Sequence, residues 1–272
     1  MSRLEEALEK ANKLRESPVK PVRENLLTEN KTQLKKVNNE FIVTLGNSDS
    51  VMAEEYRRLK SMVIRETKPD FLNTLMITSS LDSEGKTLTA INLAVSLAQE
   101  MDHSILLVDA DLRKPMIHNY LGVTFKYGLS DYLTQDIDVS DILIKTGIGN
   151  LVLLPAGRGA ANPVELLSSG RMNALVKELK HRYMDRYVII DTPPVLPFAD
   201  TISIGSTVDG VIFVVQEGRV QKSSVEEAIG MLKNLKILGV VYNNVSKANF
   251  DGHYGSYYRY SHSYRKKGEK EK

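Results

Sequence analysis

Short apolar runs alternate with amphipathic segments along most of this chain, and no other feature constrains its fold as strongly. The runs are rich in Val, Ile and Leu and occupy residues 72–78, 105–108, 151–154, 187–190, 211–215 and 237–241. Helical patterns follow some of them, at 87–100, 163–183 and 223–234. Strands that are apolar throughout and separated by helices are typical of a mostly parallel sheet covered on both faces. We therefore predict an α/β fold whose ligands bind beyond the carboxyl ends of the strands.

The segment between the first strand and the first following helix matches a phosphate-binding loop. Residues 80–87 read Ser-Leu-Asp-Ser-Glu-Gly-Lys-Thr, with serine at the first glycine of the P-loop pattern. Backbone N–H groups at a helix N-terminus favour phosphate, Lys86 can neutralise the β- and γ-phosphates, and the Thr87 hydroxyl can bind Mg²⁺. We predict a P-loop NTPase-like domain that binds ATP and Mg²⁺, with nucleotide contacts from Ser83, Glu84, Gly85, Lys86, Thr87, Leu88 and Asn243.

Two later strands end in carboxylates. Asp109 and Asp111 close the run at 105–108, and Asp191 closes the run at 187–190. We expect all three at the same edge of the sheet as the phosphate loop. Near a triphosphate, one acid can hold Mg²⁺ and another can accept a proton from an attacking hydroxyl. Arg113 can contact phosphate or a neighbouring acid.

Composition excludes several other kinds of site. The chain of 272 residues has no cysteine, which excludes a disulfide framework, a thiol nucleophile and a Cys-ligated metal. A net charge of +2 gives no argument for a nucleic-acid partner, and the five histidines lack metal-ligand spacing. No apolar run approaches the ~20 residues of a membrane helix, and the N-terminus does not look like a signal peptide. We therefore expect a cytoplasmic protein.

The chain divides into three predicted regions. Residues 1–45 contain an amphipathic helix at 2–16 and a polar linker, residues 46–247 form the P-loop domain and begin with a helix near 51–66, and residues 248–272 form a flexible polar tail. The tail contains a cluster of tyrosines. Three roles are open for these side chains: stacking on nucleic acid, ordered packing or acceptance of phosphate. These tyrosines are Tyr254, Tyr257, Tyr258, Tyr260 and Tyr264.

The motifs together resemble the bacterial tyrosine kinase family of capsule and exopolysaccharide systems. The resemblance covers about residues 50–260 and rests on the order and spacing of several segments. These are residues 53–60 (Ala-Glu-Glu-Tyr-Arg-Arg-Leu-Lys), the phosphate loop, 108–115 (Val-Asp-Ala-Asp-Leu-Arg-Lys-Pro), 128–133 (Gly-Leu-Ser-Asp-Tyr-Leu), 154–157 (Leu-Pro-Ala-Gly), 190–194 (Ile-Asp-Thr-Pro-Pro) and the tyrosine-rich end.

The resemblance implies an ATP-dependent protein-tyrosine autokinase. Asp109 is expected to activate the acceptor tyrosine, assisted by Lys86 and Arg113, whereas Thr87, Asp111 and Asp191 are expected at Mg²⁺. Phosphorylation of the tail in trans is implied, and so is a ring of subunits joined through Glu54, Arg57 and Lys60. Implied partners are a membrane-embedded activator that recruits the kinase to the inner face of the membrane, a tyrosine phosphatase, and protein substrates of sugar-nucleotide or polymer pathways; nucleic acid is not among them.

The chain departs from the family pattern at two places. The family loop usually reads Pro-Gly-Glu-Gly-Lys, whereas this chain has Asp82-Ser83 in place of Pro-Gly. Asp82 adds negative charge next to a polyphosphate, which predicts weaker binding. Lys60 replaces the last arginine of the Glu-x-x-Arg-x-x-Arg motif and loses the bidentate fork of that side chain, which predicts a weaker ring contact.

Two alternative functions are compatible with the same loop. One is a switch ATPase of the partitioning or septum-positioning type, which carries a signature lysine five residues before Lys86. That position is Leu81 here, which argues against this alternative. The other is a non-catalytic ATP-binding scaffold for polymer export, which the retained Lys86, Asp109, Asp111 and Asp191 disfavour.

Overall fold

A computed structural model describes residues 39–246, except 46–49, 101–102 and 182–185, together with Asn249. Within these residues, the strands form one sheet in the order β3-β4-β2-β5-β1-β6-β7. Each neighbouring pair is parallel except β3 and β4. The predicted α/β fold with a mostly parallel sheet is confirmed. The strands are β1 (Thr74–Ser79), β2 (Ser104–Asp109), β3 (Ile144–Lys145), β4 (Leu151–Leu154), β5 (Arg186–Asp191), β6 (Gly210–Gln216) and β7 (Ile237–Asn243).

Helices connect the strands and include several short ones that the sequence pattern does not predict. The prediction of a single helix over 163–183 is wrong, because two helices occupy that region. The Ser169 hydroxyl accepts a hydrogen bond from Met172 N at 3.1 Å and so caps the start of a second helix. The helices are α1 (Val51–Thr67), α2 (Lys86–Ala98), α3 (Ile117–Leu121), α4 (Leu129–Thr134), α5 (Pro163–Leu167), α6 (Gly170–His181), α7 (Asp200–Gly205) and α8 (Lys222–Met231), with a 3₁₀ turn at Val139–Ile142.

Both faces of the sheet are covered, as the continuous apolar strands predict. Ile91 and Leu93 of α2 belong to the core on one face, and α1 packs against α2 there. Leu175 of α6 and Ala228 of α8 belong to the core on the other face. Every residue of β1 and β5 is buried, so these central strands hold the phosphate loop and Asp191 on a rigid base.

The segment 39–45, predicted as part of the linker, packs on the α/β domain. Ile42 is only 1% exposed and lies in the same core as α2. The Asn92 side chain joins the two segments, because its carbonyl oxygen accepts from the Thr44 hydroxyl at 3.1 Å and its amide donates to Phe41 O at 3.0 Å. None of the helices in the described part of the chain has the length and apolarity that a membrane span requires.

Candidate active site

The carboxyl ends of three adjacent strands bring the predicted motifs together. Asp109 at the end of β2 lies opposite Asp191 at the end of β5, and Asp191 in turn lies opposite Ile77 of β1. The backbone continues this pairing past the strand, because Ala110 N donates to Asp191 O at 2.9 Å. Since β1 leads directly into the phosphate loop, the loop and the acids share one edge of the sheet, as predicted.

Gly85 allows the phosphate loop to turn tightly into α2. Its φ is +91°, in the left-handed region, and α2 begins at the next residue. A Cβ atom at this position would lie 2.0 Å from Nδ2 of Asn243. That amide donates to Glu84 O at 2.9 Å, so Asn243 at the end of β7 supports the loop from behind. Any larger residue at Gly85 would displace this contact and strain the backbone.

The Glu84 side chain is turned into the protein. Its two carboxylate oxygens accept from Leu81 N at 2.7 Å and Gln216 N at 3.3 Å, and the residue is fully buried. Burial raises the pKa of Glu84, against the opposing effect of these backbone hydrogen bonds. The carboxylate therefore braces the loop against the end of β6. The predicted contact between Glu84 and the nucleotide stays a prediction.

Lys86 lies among the acids. Its ammonium is 2.8 Å from Oδ2 of Asp111, and both side chains are buried. Burial alone would lower the pKa of Lys86, but the charges of Asp191, Asp111 and Asp109 raise it. The lysine therefore stays positively charged and available for phosphate, and Asp111 is its partner in this structure.

Asp109 and Asp191 have buried carboxylate oxygens that accept no hydrogen bond of normal geometry. One oxygen of Asp109 and both oxygens of Asp191 are in this state, although Asp109 Oδ2 accepts from Ile117 N at 3.1 Å. Burial raises the pKa of Asp191 to about 6, although Lys86 and Thr87 favour its charged form. Burial, together with the charge of Asp191, raises the pKa of Asp109 well above the usual range.

Such unpaired oxygens are costly unless a cation or substrate completes them. In the described part of the chain no group of three or more His, Asp or Glu forms a metal cluster by itself. Mg²⁺ does not need one, because it commonly binds one or two carboxylates together with nucleotide phosphates. The donor set of Asp191 and the Thr87 hydroxyl therefore fits a nucleotide-bound Mg²⁺ ion.

Arg113 has a partner that the sequence pattern does not reveal. Its Nε donates to Oδ2 of Asp200 at 2.9 Å, and its guanidinium lies 4.3 Å from the centre of the Phe198 ring. Asp200 is completely buried at the start of α7. Of the two contacts predicted for Arg113, the one with a neighbouring acid is present. An isolated Asp at a helix start is an ordinary capping pattern, so only the fold identifies Asp200 as this partner.

The two residues that depart from the family loop are both accommodated. Ser83 has φ of +66°, a conformation that glycine adopts without strain and serine does not. Asp82 pairs with Lys114, whose Nζ lies 2.5 Å from Oδ2. The loop thus has a left-handed residue at position 83, and the added negative charge of Asp82 has a positive neighbour.

The remaining predicted residues are only partly brought together. Leu88 is half-buried in the first turn of α2. On α1, Arg57 pairs with Glu54 at 2.6 Å, and both are about 40% exposed. Lys60, on the same helix, instead reaches Glu100 of its own chain at 2.7 Å. The tail tyrosines and the predicted N-terminal helix lie outside the described residues.

Comparison with known proteins identifies the family. A family profile described as an AAA domain matches residues 73–243. Tyrosine-protein kinase YwqD of Bacillus subtilis is 33% identical over 220 residues, which are 79% of this chain and 91% of that protein. Tyrosine-protein kinase CpsD of Streptococcus agalactiae is 35% identical, over 67% of this chain and 80% of that protein.

Solved structures point to the same family as the sequence relatives. The chimerical protein CapA2B2 aligns with a TM-score of 0.71 at 31% identity, over 77% of this chain and 92% of that one. The kinase domain of the tyrosine kinase ETK of Escherichia coli aligns with a TM-score of 0.70 at 29% identity, over 76% of this chain and 82% of that one. The septum site-determining protein MinD of Pyrococcus horikoshii, complexed with Mg-ADP, reaches only 0.56 at 26% identity, over 65% and 73%. The chain has the nucleotide-binding fold of P-loop ATPases, and it belongs to the bacterial tyrosine kinase family.

Proposed function

We propose that this protein transfers the γ-phosphate of ATP to tyrosines in the C-terminal segment of a neighbouring copy. The observation that carries this proposal is the buried, incompletely paired Asp109 beside the phosphate-loop Lys86. A carboxylate with a raised pKa and a free oxygen is suited to accept the proton of a tyrosine hydroxyl as that oxygen attacks phosphorus. Family membership supports the same reaction.

The other residues bind and orient the nucleotide. The N–H groups at the start of α2 and the Lys86 ammonium hold the β- and γ-phosphates, and Lys86 exchanges its contact with Asp111 for phosphate oxygens. Thr87, Asp111 and Asp191 are the residues that would hold Mg²⁺, which neutralises developing charge on the phosphates when it is bound. Arg113, oriented by Asp200 and Phe198, lies beside the same edge and stabilises the transferred phosphoryl group.

The proposed partners are supported by the family and by the partly exposed Glu54–Arg57 pair of α1. We propose a ring of subunits to which Glu54, Arg57 and Lys60 contribute, and recruitment to the inner face of the membrane by a membrane-embedded activator. Exposure of the Glu54–Arg57 pair supports the ring contact. Further partners would be a tyrosine phosphatase and protein substrates of capsule or exopolysaccharide synthesis.

Mass spectrometry separates the proposal from its alternatives. The purified full chain is incubated with Mg-ATP and phosphorylated residues are mapped, with Lys86→Met as the inactive control. Phosphate on the C-terminal tyrosines that is absent in Lys86→Met supports the kinase. ATP hydrolysis without phosphotyrosine would instead support a MinD-like switch ATPase, and ATP binding without either reaction would support a scaffold. A variant with all five tail tyrosines changed to Phe distinguishes tail phosphorylation from transfer elsewhere.

A further inference from the structure

An acid in the phosphate loop is neutralised by a lysine from a different loop. Asp82 lies in the middle of the loop 80–87, and its side chain is 40% exposed. Lys114 follows β2, next to Arg113, and its ammonium lies 2.5 Å from the Asp82 carboxylate. The two residues are far apart in sequence, so this contact exists only because the fold brings the two loops together.

Asp82 conflicts electrostatically with the ligand of its own loop. A triphosphate carries several negative charges, and a nearby carboxylate repels each of them. At physiological ionic strength, salt largely screens such repulsion only beyond a Debye length of ~8 Å, so a charge within the loop still acts on the phosphates. An ammonium in contact with Asp82 removes most of the net charge from this position.

The backbone of Lys114 also contacts Asp111, one of the acids of the site. Lys114 N donates to Oδ1 of Asp111 at 3.0 Å, while the other oxygen of Asp111 pairs with Lys86. A single residue therefore touches Asp82 in the phosphate loop and Asp111 beside it. Removing the Lys114 side chain would leave the backbone contact in place and take away only the contact with Asp82.

We propose that Lys114 is a positioning residue for the nucleotide, and that its ion pair with Asp82 prevents this acid from weakening the binding of ATP. Lys114 offsets the repulsion between Asp82 and the phosphates and joins the loop after β2 to the phosphate loop. The pair thus compensates for the acid that this chain has where the family loop usually has proline. The inference rests on the proposed function only in that the site binds ATP.

The test is a double-mutant cycle on nucleotide binding. Calorimetry at 50 mM KCl gives the Kd of Mg-ATP for the full chain, Lys114→Met, Asp82→Asn and the double variant. We expect Lys114→Met to weaken binding by about three- to tenfold, because Asp82 is left uncompensated. The double variant should return to within about twofold of the original chain, and Lys114→Arg should bind normally. At 500 mM KCl the loss in Lys114→Met should shrink, because salt screens the exposed charge.

A second ion pair provides the matched control. Lys236 lies 3.5 Å from Asp70, and both are exposed before the amino ends of strands, at the opposite edge of the sheet from the phosphate loop. Lys236→Met and Asp70→Asn remove the same charges and should leave the Kd of Mg-ATP unchanged. Circular dichroism of each variant checks that the fold is intact.

The possible outcomes are distinct. A double variant that binds no better than Lys114→Met, or an unchanged Kd in Lys114→Met, would overturn the inference. If the cycle behaves as expected but no phosphotyrosine forms, the kinase proposal fails and the ion-pair inference stands. If phosphotyrosine forms but the cycle shows no coupling between Lys114 and Asp82, the ion-pair inference fails and the kinase proposal stands. Absence of ATP binding in the original chain would overturn both.

Discussion

Carboxylates at the two edges of the same sheet differ in their hydrogen bonding: Asp209 at the amino edge is partly buried, and Asp191 at the carboxyl edge is buried. At the amino edge, Oδ2 of Asp209 accepts from both Asn73 N and Thr74 N at 3.1 Å, and its other oxygen pairs with Lys180. At the carboxyl edge, both oxygens of Asp191 lack a partner of normal geometry. An acid with all of its hydrogen bonds made holds strands together, whereas a buried acid without partners lowers the stability of the free protein. The contrast therefore identifies the carboxyl edge as the place where a ligand completes the structure.

The largest effect should come from Asp109, the acid assigned to proton transfer. Asp109→Asn should lower the rate of tyrosine phosphorylation by about 10²–10⁴-fold, because an amide cannot accept the tyrosine proton. The Kd of Mg-ATP should change by only a few fold. Rates come from single-turnover phosphorylation with labelled ATP, and Kd comes from calorimetry. A parallel loss of binding and rate would show that Asp109 serves in nucleotide binding rather than as the base.

At the opposite edge, removal of Asp209 should damage folding and leave the chemistry intact. Asp209→Ala would leave two backbone donors and Lys180 without their partner and should lower the free energy of unfolding by about 2–4 kcal/mol. Urea denaturation of the nucleotide-free protein measures this loss. The folded fraction of Asp209→Ala should bind Mg-ATP with an unchanged Kd. An unchanged urea midpoint would contradict the structural role assigned to Asp209.

The reverse change in stability is expected at Asp191. In the free protein its folded-state pKa is about 6, above the ordinary value of 3.8, so its charged form destabilises the fold. This cost develops as pH rises from about 4 to 6 and is present in full at neutral pH. Asp191→Asn should therefore raise the free energy of unfolding by about 1–3 kcal/mol at pH 7.5, and by less at pH 5.

Thermal or urea unfolding with EDTA and without nucleotide measures this gain. The same variant should bind Mg-ATP more weakly, because Asp191 is one of the residues proposed to hold the metal. A loss of stability in the free protein would show that Asp191 is a structural acid like Asp209.

Most of the fold and the main residues of the site are predictable from the sequence because they follow local patterns. The apolar runs identify six strands, and the Gly85-Lys86-Thr87 segment identifies the loop that follows the first of them. Contacts between distant loops have no such pattern. The pairing of Arg113 with Asp200 depends on the orientation of α7, and the pairing of Asp82 with Lys114 depends on the spacing of two loops. Sequence reasoning therefore finds Asp82 as an unfavourable charge but not the lysine that neutralises it.

The smallest expected effect concerns Ser83, whose backbone has a left-handed conformation that favours glycine. A non-glycine residue at φ of +66° is strained, and a glycine there is not. Glycine also raises the entropy of the unfolded chain, which opposes the gain. Ser83→Gly should therefore change the free energy of unfolding by less than about 1 kcal/mol. Ser83→Val, a β-branched residue that resists this conformation, should destabilise the loop more and weaken Mg-ATP binding. Urea denaturation and calorimetry of the two variants measure the difference, and equal affinities for Mg-ATP would show that the left-handed turn at residue 83 is not needed to hold the phosphates.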